Sequence, residues 1–179
     1  MKEIEVKVLE INKSKIETQL KKMGAKIAFN GVIDSVSMDF PDKRLHKKGE
    51  LLRLRKMGKK NIATYKIKSK KSKKAKVCEE MEFETEDFEK TKKVFELLGL
   101  KQSKGMKKHR TSYKLGKTHF EIETYLGKHK HVPVFLEIEA PSIKLIYKYA
   151  KELGINKEKC LNWNSQDVTK HYAGKKDSK

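Results

Sequence analysis

From its first residues the chain alternates. Ile4, Val6 and Val8 stand on one side of an extended segment and Glu3, Glu5 and Lys7 on the other, because side chains two apart on a strand share a face. The same period of two returns further on. Leu52 and Leu54 oppose Arg53 and Arg55 between Glu50 and Lys56, and Tyr65 and Ile67 oppose Lys66 and Lys68 within 62–68. In 79–85 Met81 and Phe83 oppose Glu80, Glu82 and Glu84. Phe120 and Ile122 oppose Glu121 and Glu123 in 118–125, and Leu136 and Ile138 oppose Glu137 and Glu139 in 134–140. Mixed runs over 32–39 and 108–115 complete the set, with Gly58, Gly116 and Gly127 as turn signals. Counting the first, these are about eight strands, enough to close a barrel.

A period near 3.6 appears in three other places. Ile16, Leu20 and Met23 follow a cap at Asn12 or Ser14 and stop at Gly24. Phe88, Val94, Phe95 and Leu98 run from about Asp87 to Gly99, and Ile143, Ile146, Tyr147, Ala150 and Leu153 run from Ser142 to Gly154. Each helix follows a strand bearing Glu-x-Glu (Glu3/Glu5, Glu82/Glu84, Glu137/Glu139), and a basic segment comes after it. That order reads as a weak internal repeat of strand, helix and return strand.

Amphipathic helices need an apolar surface, and the apolar faces of the strands supply one. The charged faces are then left to look at water or to line the inside of a curled sheet. At 179 residues the chain makes one domain, 1–172, with a basic, disordered tail over 173–179. No apolar stretch is long enough to cross a bilayer, and no signal-peptide core follows the first methionine. Two cysteines, Cys78 and Cys160, build neither a disulfide framework nor a metal motif, so the reading is a reducing, cytoplasmic setting.

Charge changes the picture more. Lys and Arg number 44 against 24 Asp and Glu, a formal net charge of +20 that favours anionic partners. Part of the excess sits in Lys70, Lys71, Lys73, Lys74 and Lys76, read as a solvated hairpin loop. The signs are sorted by strand: 3–5, 80–84, 121–123 and 137–139 are acidic, while 53–55, 66–68 and 108–110 are basic. A solvated face mixes its charges. Sorted ones suit a ligand carrying both signs, a polyanion with divalent cations, where carboxylates hold the metal and Arg or Lys the phosphate oxygens. An interior lined this way must be wet and open-ended, since dry burial of so many charges is very unfavourable.

In order, Glu3-x-Glu5-x-Lys7, Leu-Arg53-Leu-Arg55, Tyr65-Lys66-x-Lys68, Glu79-Glu80-x-Glu82, Lys108-x-Arg110 and Phe135-Leu-Glu137-Ile-Glu139 resemble the CYTH domain, or triphosphate tunnel metalloenzymes. The branch of class IV adenylyl cyclases is the most similar, and the likeness spans roughly residues 1–170. It implies an α+β fold, an eight-stranded antiparallel barrel with helices outside, binding a small-molecule triphosphate with Mg²⁺ or Mn²⁺. By the same resemblance Glu3, Glu5, Glu121, Glu123, Glu137 and Glu139 are metal ligands. Lys7, Arg53, Arg55, Lys66, Lys68, Lys108 and Arg110 cradle the phosphates, and Lys66 and Glu82 are catalytic. Three departures stand out: Ser37 where members often carry tyrosine, Cys78 for a common arginine, and Asn164-Ser165-Gln166 for Ser-Tyr.

Three functions remain open. The first is metal-dependent hydrolysis of an inorganic, thiamine or nucleoside triphosphate. Cyclisation of ATP to cyclic AMP and pyrophosphate is the second, and binding without turnover, of polyphosphate or RNA 5′-triphosphate ends, is the third. A homodimer is compatible with each. Plainer readings hold elsewhere: His129-x-His131 as a solvated loop, Trp163 as packing, and the cysteines as ordinary thiols.

Overall fold

The alternating segments do become strands: β1 (Lys2–Val8), β2 (Lys26–Asp39), β3 (Glu50–Met57), β4 (Lys60–Lys68), β5 (Lys76–Thr85), β6 (Lys101–Leu115), β7 (Thr118–Tyr125) and β8 (Phe135–Ala140). The computed structural model describes residues 2–68 and 75–173, the side chains of Lys2, Glu3, Lys68 and Lys76 excepted. The strands close into one antiparallel barrel in the order β1-β5-β4-β3-β2-β6-β7-β8. Closure is made where β1 meets β8, with Val6 opposite Ile138 and Lys7 opposite Glu137. Exchanging β1–β4 for β5–β8 returns the same ring order read backwards, so the barrel is two equivalent four-strand halves. The internal repeat is real in its first two units, β1 then α1 (Lys13–Lys22) then β2, and β5 then α3 (Phe88–Leu97) then β6. After the third helix, α4 (Ile143–Glu152), the chain returns only as a single bridge, Lys7 with Leu161.

Helix ends follow the sequence signals. The Asn12, Asp87 and Ser142 side chains each accept from a backbone N–H three residues on and satisfy a donor the helix leaves open. Ile16 and Leu20 of α1 and Ile146, Ala150 and Leu153 beside α4 pack on Val6, Val8, Phe120, Ile122, Leu136 and Ile138. Each of these side chains but that of Ala150 contributes about 1.5–3 kcal/mol on burial. This core fixes the orientation of β1, β7 and β8, since their apolar alternates are committed to the outside.

Two helices were not foreseen: α2 (Arg44–Lys48) and α5 (Ser165–Ala173). Asn164 caps α5, accepting from the N–H groups of Gln166 and Asp167, while Asp167 accepts from the Asn164 N–H in return. That is a capping box with Asp in the place of Glu, legible in the sequence but shorter than the periodic helices. α5 reaches Ala173, and Lys76 opens β5 where a loop was expected, while residues 174–179, like Lys70, Lys71, Lys73 and Lys74, lie outside the described residues. β2 and β6 also start earlier than 32 and 108. They pair from Lys26 opposite Lys114 to Asp39 opposite Lys101, with two register shifts. Much of this added ribbon is exposed and shows no apolar alternation, so only backbone pairing marks it as sheet.

Not every outer face is covered. Phe88 and Phe95 of α3 pack over Leu54 of β3, and α3 leans that way rather than onto β5. Met81 and Phe83 on β5 are left 61% and 57% exposed.

Candidate active site

Parity now decides where the charges go. In register, Arg53 faces Thr64, Thr64 faces Glu82, Lys66 faces Glu80, Arg110 faces Glu123 and Glu121 faces Glu137. Residues opposite one another in antiparallel strands share a face, and Val6, Leu54, Phe120 and Ile138 hold the outer one. The charged alternates therefore line the bore, where Glu5, Lys7, Glu121 and Glu123 are buried. Going round the ring, the acidic strands β7, β8, β1 and β5 are contiguous, and so are the basic strands β4, β3 and β6, with only β2 between them. One wall of the tunnel is acidic and the facing wall basic.

Ion pairs knit the walls together. Lys7, buried deep in the acidic wall, reaches Glu5 at 3.1 Å and pairs with Glu137. Burial alone would lower its pKa, but Glu137 and Glu5 lift it above the ordinary lysine range. Burial likewise opposes ionisation of Glu137, yet Lys7, Arg110 and Lys108 hold its carboxyl well below the usual range. Lys108 is 2.7 Å from Glu123, Arg110 is 2.9 Å from Glu121 and also pairs with Glu123, and Lys66 pairs with Glu80. Arg55 Nη2 donates to Glu82 at 2.6 Å and Thr64 donates to the same oxygen at 2.9 Å. Ser112 donates to Glu121 at 2.6 Å.

Arg53 is different. It makes no ion pair among the described residues, and its Nε is buried without a hydrogen bond. Burial first, then the fields of Arg55 and Arg110, push its pKa down to about 10, so it stays charged at neutral pH. Lys108 is pushed down to about 8 by burial and Arg110, against the pull of Glu123 and Glu137. Cations that repel one another inside a bore give that wall a positive potential, which favours anions.

Where the charged rows stop, apolar side chains fill the bore. Tyr125, Phe135 and Met106 continue the inner faces of β7, β8 and β6. They pack with Leu9, Val132, Trp163, Val168 and Tyr172, and through these α5 closes that end. Trp163 does pack, 5.1 Å from the His171 ring. His129 and His131 are half-buried rather than solvated, the former 6.2 Å from the Tyr125 ring. Cys78 is buried, and burial raises the Cys160 thiol pKa, which leaves neither suited to nucleophilic work.

The inner face thus gathers Glu5, Lys7, Arg53, Arg55, Lys66, Glu82, Lys108, Arg110, Glu121, Glu123, Glu137 and Glu139, with Glu3 and Lys68 on it by register alone. Ser37 is opposite Arg53, so the strand-2 position that lacks tyrosine does face the bore. Sequence reasoning missed Thr64, Ser112, His119 and Tyr125. All four sit two residues from a singled-out charge, and parity alone would have found them.

Among the described residues no three His, Cys, Asp or Glu side chains gather round one point. The carboxylates are drawn instead to Lys7, Lys108 and Arg110. Their chemistry still fits a hard divalent cation: all-oxygen donors on neighbouring strands, and Glu123 Oε2 buried with no partner.

The family model of the CYTH domain matches residues 1–167. A Methanocaldococcus jannaschii protein, provisionally named an adenylate cyclase, is 32% identical over 139 residues, 78% of this chain and 77% of its own length. The PH1012 protein of Pyrococcus horikoshii superposes with a TM-score of 0.77 at 29% identity, over 93% of this chain and 98% of its own. A Hippeastrum protein, provisionally an adenylyl cyclase and described as having a dominant triphosphatase activity, shares the fold with a TM-score of 0.68 at 14% identity, over 95% of each chain.

Proposed function

Because the chain belongs to the CYTH domain family, we propose that it is a divalent-metal-dependent enzyme that hydrolyses the terminal phosphoanhydride of a triphosphate bound in the tunnel. The observation that carries this is Arg53, half-buried with its Nε out of contact with water and without a hydrogen bond, making no ion pair among the described residues, in the field of Arg55 and Arg110 and facing an acidic wall. A triphosphate supplies the negative charge the basic wall lacks. The carboxylates that now pair with Lys108 and Arg110 would hold Mg²⁺ or Mn²⁺, which would bring positive charge to the acidic wall.

In this reading Arg53, Arg55, Lys66, Lys68, Lys108 and Arg110 bind the phosphate oxygens, arginine in bidentate fashion. Lys7 holds Glu5 and Glu137 in place. Glu5, Glu121, Glu123, Glu137 and Glu139, with Glu3, would hold the metal, which when bound neutralises phosphate charge and polarises the phosphorus–oxygen bond. Glu82, oriented by Arg55 and Thr64, is the carboxylate placed to accept a proton from the attacking water, and Lys66 balances charge on the departing oxygen. Phosphoryl transfer needs little more than such positioning. Hydrolysis within this fold is described for the Hippeastrum protein. The name of the Methanocaldococcus relative favours a second reading, cyclisation of ATP.

The test is incubation with tripolyphosphate, thiamine triphosphate and ATP, each with Mg²⁺ or Mn²⁺, followed by ³¹P NMR. Orthophosphate is the expected product. Pyrophosphate with cyclic AMP selects cyclisation, and intact substrates throughout would contradict both.

A further inference from the structure

Tyr125 is the last residue of β7, two positions beyond Glu123 on the inner face and directly across from Lys108. It is 1% exposed, and its ring is fixed edge-on against Phe135, with centroids 5.2 Å apart. Its hydroxyl makes no hydrogen bond of ordinary geometry, although the Ser165 side chain at the start of α5 is within loose hydrogen-bonding reach and draws its pKa down against burial. Glu123 Oε2 is also buried and unpartnered, so the two groups do not satisfy each other. A buried hydroxyl without a partner is a standing penalty, and phenylalanine would fill the same space without it. The surrounding cluster gives the ring a packing role but gives the oxygen none.

We propose that the Tyr125 hydroxyl is a ligand-contacting donor at the closed end of the tunnel, hydrogen-bonding an oxygen of the terminal phosphate of a bound triphosphate beside Lys108. This rests on the triphosphate reading and adds an orientation to it. Apolar packing under α5 fills the bore just past Tyr125, so an organic group on the triphosphate must leave by the opposite mouth. The free terminal phosphate then lies inward, at the level of the ring where Lys108 and Tyr125 stand opposite one another.

Tyr125→Phe separates this from a packing role. Calorimetric titration with tripolyphosphate and with ATP, in Mn²⁺, should show a dissociation constant raised on the order of tenfold for both ligands. The unligated variant should melt no lower than wild type. Wild-type affinity in the variant would overturn the proposal, and so would a loss confined to ATP, which would put Tyr125 against the organic group. If wild type itself binds neither ligand, the triphosphate reading fails first and takes this inference with it. Binding by wild type with an unchanged variant removes the inference alone.

Discussion

Lys7 shows how single residues in this tunnel are held. Its ammonium is buried between Glu5 and Glu137, and the three charges are tolerable only together. Replacing one member of such a group leaves uncompensated charge, which typically destabilises by about 3–5 kcal/mol. Lys7→Met is therefore expected to lower the melting temperature sharply in metal-free buffer. Mn²⁺ should restore part of the loss, because a cation can take the place of the ammonium between the carboxylates. A variant that melts like wild type, or that ignores the metal, would show that the pair is not the structural knot described above. At this scale the sequence was most readable. Charged residues could be assigned to one face by parity, and every described one of them does face the bore. The neutral members Thr64, Ser112 and Tyr125 escaped because a hydroxyl on a strand carries no sign to sort by.

At the scale of elements, the least anticipated piece has the most consequence. α5 closes one end of the barrel with Val168 and Tyr172, and the Tyr172 hydroxyl donates to Glu10 Oε1 at 2.7 Å. Glu10 has a left-handed backbone, φ 54°, in the link between β1 and α1. Such a conformation is unfavourable for a residue with a Cβ and is held by its surroundings. Tyr172→Phe removes a hydrogen bond to a carboxylate and is expected to cost about 1–2 kcal/mol of stability, read as a shift of the urea midpoint with an unchanged slope. No shift would mean that the apolar contacts alone hold α5. Barrel strands and periodic helices were legible because their apolar positions repeat. α5 offered two apolar anchors and a capping box, and the early stretches of β2 and β6 offered no core-facing pattern at all.

For the whole molecule, the sorting of charge matters more than its total. Acidic strands β7, β8, β1 and β5 adjoin one another, and basic strands β4, β3 and β6 oppose them. That arrangement comes from ring order, which the sequence does not display, since β1 and β5 are neighbours only after closure. The uncovered Met81 and Phe83 belong to the same category. Their alternation was visible, but the tilt of α3 toward β3 was not. A net charge of +20 attracts any polyanion to the surface, so the account turns on separating tunnel binding from surface binding. Arg53→Ala does this with little structural cost, because the residue has no ion pair to lose among the described residues and the attraction it gives up to Glu80 and Glu82 is set against relief of repulsion with Arg55 and Arg110. The deciding measurement is calorimetric titration of wild type and Arg53→Ala with tripolyphosphate and Mn²⁺, at about 0.15 M salt to screen surface lysines. Saturable one-to-one binding by wild type, weakened roughly tenfold or more in an equally stable variant, is the predicted result. Equal affinity in the two proteins would contradict the tunnel as the binding site.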